Sequence, residues 1–355
     1  GLIFLSFVLI KDSEALPNLD AIIFSKEKTL TGFMYSESNI AHIKWSKINT
    51  MPRYNTWALG SSRVLAFREE TFDSSFYNMG YIVSRMTDFK SLLHEVAPEK
   101  LPEYLILGLD QWAFNHDWDS QAIQDMHGAY LDYERYPSFT AFRGLASLMA
   151  TRKYFRGDSV NNGIEKFGLN AILNETGFRK DGSIYYGSVV RKLLINEEVQ
   201  NEIFFDTYKR IDLGNSKFQF GDTVDLGLLA ELNDILTFCK KNKIEVIGFL
   251  PPFADQVYDK MMNTGKYNYI LKLPKILKEM FHSFEFEFYD FPKVSSCGSS
   301  DFEVVDGFHG GELTYGKMLV CMLESDSKLS QIINLDKLKE DIKNPVNRYT
   351  LYEYK

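Results

Sequence analysis

The stretch Trp57-Ala58-Leu59-Gly60-Ser61-Ser62-Arg63-Val64-Leu65-Ala66-Phe67 reads as a short apolar strand, a tight turn and the start of a helix. Phe76-Tyr77-Asn78-Met79-Gly80 is a second short strand ending in glycine. Residues 104–109 form a near-continuous apolar run, as expected of a strand buried on both faces of a parallel sheet. Residues 244–250 form a further strand, stopped by Pro251-Pro252. Helical periods lie between the strands. Ile82, Met86, Phe89, Leu92, Leu93 and Val96 share one face, and Leu228, Leu229, Leu232, Ile235, Leu236 and Cys239 another. Asp222 or Thr223 caps the second helix, and Lys240, Lys241 and Lys243 suit its C-terminal end. A helix over 267–282, an alternating edge strand over 284–289 and a last helix over 312–325 complete the pattern. Strands alternating with helices predict an α/β fold, a three-layer sandwich with a mainly parallel central sheet. In such sheets the chemistry collects at the carboxyl ends of the strands. Here those ends are the turn after 57–59, the glycine after 76–79 and the loop after 104–109.

The chain has 355 residues, which at about 150 per domain predicts two domains, or one domain with a large insertion. The pattern favours the second. Residues 115–221 are rich in Tyr, Asn, Gly and Arg, have weak periodicity, and read as a lid-like insertion in a domain spanning 51–330. Residues 331–355 read as a polar tail, an exposed helix or extended arm. Residues 1–50 form an N-terminal segment that opens with ten apolar residues, too few to span a bilayer, which needs roughly 20. Two readings stay open for that opening: a buried strand or short helix, or the trimmed end of a membrane anchor. A hydrophobic share of 45% is enough for a sizeable core, and a net charge of −8 argues against a nucleic-acid surface. Cys239, Cys297 and Cys321 contain no C-x-x-C pair, which argues against a zinc site or a disulfide framework and leaves one bridge open. No nucleotide loop, flavin motif or metal-ligand spacing stands out, so neither cofactor nor metal is expected. His116, Asp117, Asp119, Asp125 and His127 read as solvated loop residues before they read as metal ligands.

Serine hydrolysis needs a hydroxyl on a sharp turn, a histidine to take its proton, an acid to orient that histidine, and donors for an oxyanion. Gly157-Asp158-Ser159 has no apolar strand before it, and Gly298-Ser299-Ser300 precedes no helix. Gly60-Ser61-Ser62 alone has the strand–turn–helix setting, where a helix N-terminus would favour alkoxide charge. Asp306-Gly307-Phe308-His309 supplies the other half: two intervening residues let one turn present acid and base in the same direction. As alternatives, Ser62 caps the helix that follows it, Gly80 is an ordinary strand-end turn, and His309 lines the final helix.

Gly60-Ser61-Ser62-Arg63, Asn78-Met79-Gly80, Gly248-Phe249-Leu250-Pro251-Pro252 and Asp306-x-x-His309, in this order, resemble the SGNH (GDSL-type) hydrolase superfamily. Within it they look like the bacterial envelope branch with a "GSSR" block, which includes proteins of teichoic-acid D-alanylation and alginate O-acetylation. The resemblance covers 55–110 and 225–325 and implies Ser62 as nucleophile, His309 as general base and Asp306 as its partner. It implies an oxyanion hole from the backbone N–H groups of Ser62 and Gly80. The family's third block, G-x-N-D, places an Asn donor where this chain has Asp110, in Gly108-Leu109-Asp110-Gln111. An ionised carboxylate cannot donate. Asn115 or Gln111 therefore takes over, or Asp110 carries a proton, or the site is weak.

The implied activity is that of an O-acyl esterase or acyltransferase on an envelope glycan. The implied setting is extracytoplasmic and membrane-anchored, with a membrane-bound acyltransferase as partner. A non-catalytic binding protein of the same fold and a lipid esterase are the alternatives. Arg179, Asp181 and Tyr185 would contact a polar substrate, or would merely flank a β-turn at Asp181-Gly182. Arg63 would contact substrate or serve as a structural ion-pair partner.

Overall fold

The computed structural model describes residues 18–32, 39–83, 85–121, 163–195 and 198–354, with isolated positions between 130 and 146. The apolar opening 1–10, Asp125, His127 and the Gly157-Asp158-Ser159 motif lie outside them. Among the described residues the strands in chain order are β1 (Lys28–Thr31), β2 (Thr56–Leu59), β3 (Phe76–Asn78), β4 (Tyr104–Gly108), β5 (Ile164–Phe167), β6 (Thr176–Arg179), β7 (Ile184–Tyr186), β8 (Glu245–Leu250) and β9 (Glu287–Asp290).

The chain divides into two compact units. The larger, 53–127 with 193–353, holds a five-stranded sheet in the order β3-β2-β4-β8-β9, every neighbouring pair parallel. The fold is therefore α/β. The chain runs from β2 outward to β3 on one side and to β4, β8 and β9 on the other. The topological switch point thus lies between β2 and β4, where doubly wound sheets open a crevice. Ala58, Ile106 and Ile247 stand side by side in register. They pack with Tyr315, Met318 and Leu319 of the helix Glu312–Leu323. Gly248, one residue on and so facing the other way, admits Phe281 of the helix Asn268–Ser283; a Cβ there would lie 2.2 Å from that ring. Both faces of the central strands are covered, which is why their sequences run apolar with little alternation.

The helix Leu226–Lys241 starts one turn later than the sequence suggests. Asp225, not Asp222 or Thr223, accepts the Leu228 N–H at 3.0 Å. The tail holds a helix, as one of its two readings had it, but the tract is not wholly exposed. The helix Leu335–Lys343 buries Leu338, and Tyr349 and Leu351 are buried as well. Composition made this tract look exposed, but Leu335, Leu338 and Ile342 recur at helical spacing and pack with the helix Glu312–Leu323. Leu351 lies against Gly316, 3.1 Å from where a Cβ would stand. Leu351→Ala should lower unfolding stability by about 2–4 kcal/mol, read as a fall in urea midpoint. An exposed arm would give no change.

The tract 115–221 divides between the two units. Residues 115–127 and 193–221 belong with the parallel sheet, whereas 128–192 cluster with 1–52 and 354–355 in the smaller unit. That unit holds a mixed sheet, order β5-β1-β6-β7, with β1 parallel to β5 and antiparallel to β6. Among the described residues no helix is long and apolar enough to cross a membrane.

Candidate active site

Ser62 sits just past the carboxyl end of β2. Residues 56–59 are fully buried, Gly60 ends the strand, and the Ser61 hydroxyl accepts the Arg63 N–H at 3.2 Å to turn the chain. Ser62 then opens a single 3₁₀ turn, Ser62–Val64. The helix expected from sequence is therefore too short to bring a macrodipole to the serine. Three glycines explain how the turn lies so close to the sheet. A Cβ on Gly60, Gly80 or Gly108 would fall 2.6, 2.6 or 2.3 Å from a methyl of Val64. Val64 plugs the ends of β2, β3 and β4 only because none of these positions carries a side chain.

His309 arrives from the loop before the last helix. Its Nε2 lies 2.8 Å from Ser62 Oγ, and its Nδ1 lies 2.7 Å from Asp306 Oδ2. A carboxylate accepts only, so the proton is placed on Nδ1, leaving Nε2 to accept the serine hydroxyl. The other carboxylate oxygen, Oδ1, accepts the backbone N–H of His309 at 2.9 Å and of Phe308 at 3.3 Å. This turn needs Gly307 at φ +94°, and there a Cβ would also strike Val257. Thr207 Oγ1 donates to the Asp306 carbonyl at 2.8 Å, and the Ala254 N–H to the Gly307 carbonyl at 2.8 Å. Burial pushes the Asp306 carboxyl up, but the His309 charge and the bonds from His309 and Phe308 outweigh it and leave the group below its ordinary value. A folded-state pKa below the unfolded one adds stability above about pH 4. That stability is lost as pH falls through the folded value.

Arg63 is 1% exposed and all its donors are engaged. Nε donates to the Phe308 carbonyl (2.9 Å), Nη1 to Gln111 Oε1 (2.8 Å) and Nη2 to the carbonyls of Pro251 (2.8 Å) and Pro252 (2.6 Å). Asp110 Oδ1 is 3.5 Å from Nη1, and the guanidinium lies 5.2 Å from the Trp112 ring centre and 4.5 Å from that of Phe253. Arg63 therefore faces no substrate. It ties the serine turn to the β4 loop, the β8 loop and the residue preceding His309. Burial raises the Asp110 carboxyl, opposed by the Arg63 charge, a bond from Ser61, Lys217 and His309.

The other expected oxyanion donors have partners already. The Gly80 N–H points to Asn78 Oδ1 at 2.9 Å, while Asn78 Nδ2 holds the carbonyls of Val64 and Phe67. Asn115 Nδ2 holds the carbonyls of Gln219 and Phe220, and its Oδ1 accepts the N–H groups of Asp117 and Trp118. Gln111 Nε2 donates to the Pro251 carbonyl at 3.0 Å. Of the expected donors, the Ser62 N–H alone makes no hydrogen bond among the described residues. Asn115 thus spends both of its amide N–H groups on the loop it braces, whereas Gln111 Nε2 spends one of its two among the described residues.

Arg179, Asp181 and Tyr185 fall in the smaller unit, on the hairpin of β6 and β7. Asp181 accepts the Ser183 N–H at 2.9 Å and its hydroxyl at 2.5 Å. Arg179 donates to Ser183 Oγ at 3.1 Å and stacks on Tyr185 at 4.9 Å. Gly182 at φ +81° closes the turn. These groups organise the hairpin. His116 pairs with Asp225 and Asp119 with Arg85, and among the described residues no group of three His, Cys, Asp or Glu is placed to hold a metal ion. Sequence reading missed Thr207 and Lys217, which lie in the weakly patterned tract. No local signal marks either one. No family model and no curated protein matches this chain.

Proposed function

We propose that the chain is a serine-dependent O-acyl esterase or O-acyltransferase acting on an envelope polysaccharide or related glycan. The carrying observation is the unbroken relay Ser62 Oγ–His309 Nε2 (2.8 Å) and His309 Nδ1–Asp306 Oδ2 (2.7 Å), assembled from residues 247 positions apart in sequence. Ser62 Oγ attacks the ester carbonyl while its proton passes to His309 Nε2, and Asp306 stabilises the imidazolium. The alcohol leaves with that proton. Water or a sugar hydroxyl, deprotonated by the same nitrogen, then takes the acyl group from Ser62. The Ser62 N–H would meet the oxyanion. Gly80 would join it if its bond to Asn78 opened on substrate binding. The finer architecture expected from sequence belongs to this reading: an SGNH-type sandwich with a segment controlling access, set outside the cytoplasm beside a membrane-bound acyltransferase.

The test is a fluorophosphonate probe on the full chain, with peptide mapping, beside nitrophenyl acetate turnover. Labelling at Ser62 is expected. Labelling elsewhere, or none, sinks the proposal. The committed donors and Asp110 favour a second reading, a non-catalytic glycan-binding protein of the same fold. It would bind glycan equally well after Ser62→Ala and turn over no ester.

A further inference from the structure

Lys217 stands where the mechanism above leaves it unused. Its Nζ lies 5.4 Å from the Trp112 ring centre and 5.8 Å from that of Phe308. Phe308 in turn lies tilted against the His309 imidazole, centroids 4.3 Å apart, and Trp112 meets Phe308 edge-on at 6.0 Å. The ammonium and the His309 imidazole therefore neighbour the same Phe308 ring. Ser216 and Lys217 both take left-handed backbone, φ +51° and +83°, conformations that strain a non-glycine residue. The turn itself closes through the Phe218 N–H to the Asn215 carbonyl at 2.9 Å, without the lysine side chain.

No acid or carbonyl accepts from the ammonium among the described residues, although Asp110 and Asp306 are both near enough to feel its charge. Asp110 is held by Arg63 and Ser61, and Asp306 by His309. Arg63 and Asn115 have no donor to spare. Among the described residues the half-buried Lys217 ammonium, with three N–H groups and two π-faces within 6 Å, thus donates no hydrogen bond.

From this geometry we infer that Lys217 is a specificity-determining residue that receives a negative charge on the substrate, a carboxylate or phosphate a few atoms from the ester carbonyl. The inference rests on the acyl-transfer reading and adds the charge of the substrate to it. The charge has two possible sources, the acyl group or the alcohol, and matched ester pairs separate them. For the acyl side the pair is mono-4-nitrophenyl succinate and 4-nitrophenyl butyrate. For the alcohol side it is an acetylated glucuronide and the corresponding glucoside.

The readout is the ratio of kcat/KM, anionic over neutral, within each pair. This ratio is insensitive to the fraction of folded enzyme. In wild type one pair should favour the anion by about tenfold, the worth of a single partly buried charge contact. Lys217→Met should bring that ratio to about one, Lys217→Glu should invert it, and Lys217→Arg should keep it. Equal ratios in wild type and Lys217→Met for both pairs would overturn the inference.

If wild type turns over neither ester, the catalytic reading fails, and binding still decides the role of Lys217. Calorimetric titration of Ser62→Ala protein with monomethyl succinate and with dimethyl succinate should show tighter binding of the anion. That difference should vanish in Ser62→Ala/Lys217→Met. No difference between these two ligands, and none between the acetylated glucuronide and glucoside titrated in the same way, sinks the inference.

Discussion

Ser62→Ala should cut ester turnover by about 10⁶-fold and leave the fold intact. On the proposed acyl-transfer reading the hydroxyl is a reactant, so nothing replaces it. His309 Nε2 would be left facing water at the mouth of the site rather than an unpaired buried group, because Ser62 and His309 are both partly exposed. Asp306→Asn should cost about 10⁴-fold by a different route. Asparagine at this place can still accept with one atom, but its amide turned toward Nδ1 would stabilise the wrong imidazole tautomer. Nε2 would then carry the proton and could no longer take one from Ser62. The two variants separate the reacting atom from its orienter. Steady-state kinetics with nitrophenyl acetate, beside an unchanged thermal midpoint for Ser62→Ala, checks both. Turnover by Ser62→Ala within tenfold of wild type would mean that another group does the chemistry.

The sheet was largely legible in the sequence because its strands are short and apolar and end in glycine or proline. Those features report burial on both faces and room at the strand ends directly. Asp306 and His309 were legible for a local reason: a D-x-x-H turn brings acid and base together through its own backbone, whatever the rest of the chain does. What could not be read was how the donors are distributed. Whether the Gly80 N–H is available depends on Asn78 turning back onto it, and whether Asn115 can donate depends on carbonyls more than a hundred residues away. The tail 331–355 misled for a related reason. Its apolar residues are outnumbered by charges, yet Ile332, Ile333, Leu338 and Leu351 belong to the core and Leu335 and Ile342 pack against it. Composition averages over a helix, whereas packing depends on one stripe of it.

Arg63 should prove the most sensitive buried position outside the relay. Its guanidinium is 0% exposed at the side chain, and it offsets the charge of Asp110, itself only 4% exposed. Arg63→Met removes the cation and leaves the carboxylate desolvated, together with the carbonyls of Phe308, Pro251 and Pro252 and the Gln111 oxygen. Losing one partner of such a pair costs about 3–5 kcal/mol, well beyond a single lost hydrogen bond. The urea midpoint should fall accordingly. Part of that loss should return in Arg63→Met/Asp110→Asn, where no charge remains to be buried unpaired.

Arg63→Lys separates charge from geometry. An ammonium is compact, and it cannot reach Phe308, Gln111 and both proline carbonyls from one point as the planar fork does. The variant should therefore be more stable than Arg63→Met but should still lose turnover. The reason is that the Phe308 carbonyl, one residue from His309, is released from the guanidinium that holds it to the serine turn. A kcat that falls about tenfold or more while the protein stays folded, with the loss greater in kcat than in KM, is the expected signature of a positioning residue. An Arg63→Met protein with wild-type midpoint and wild-type kcat would show that the clamp holds nothing that matters to the site.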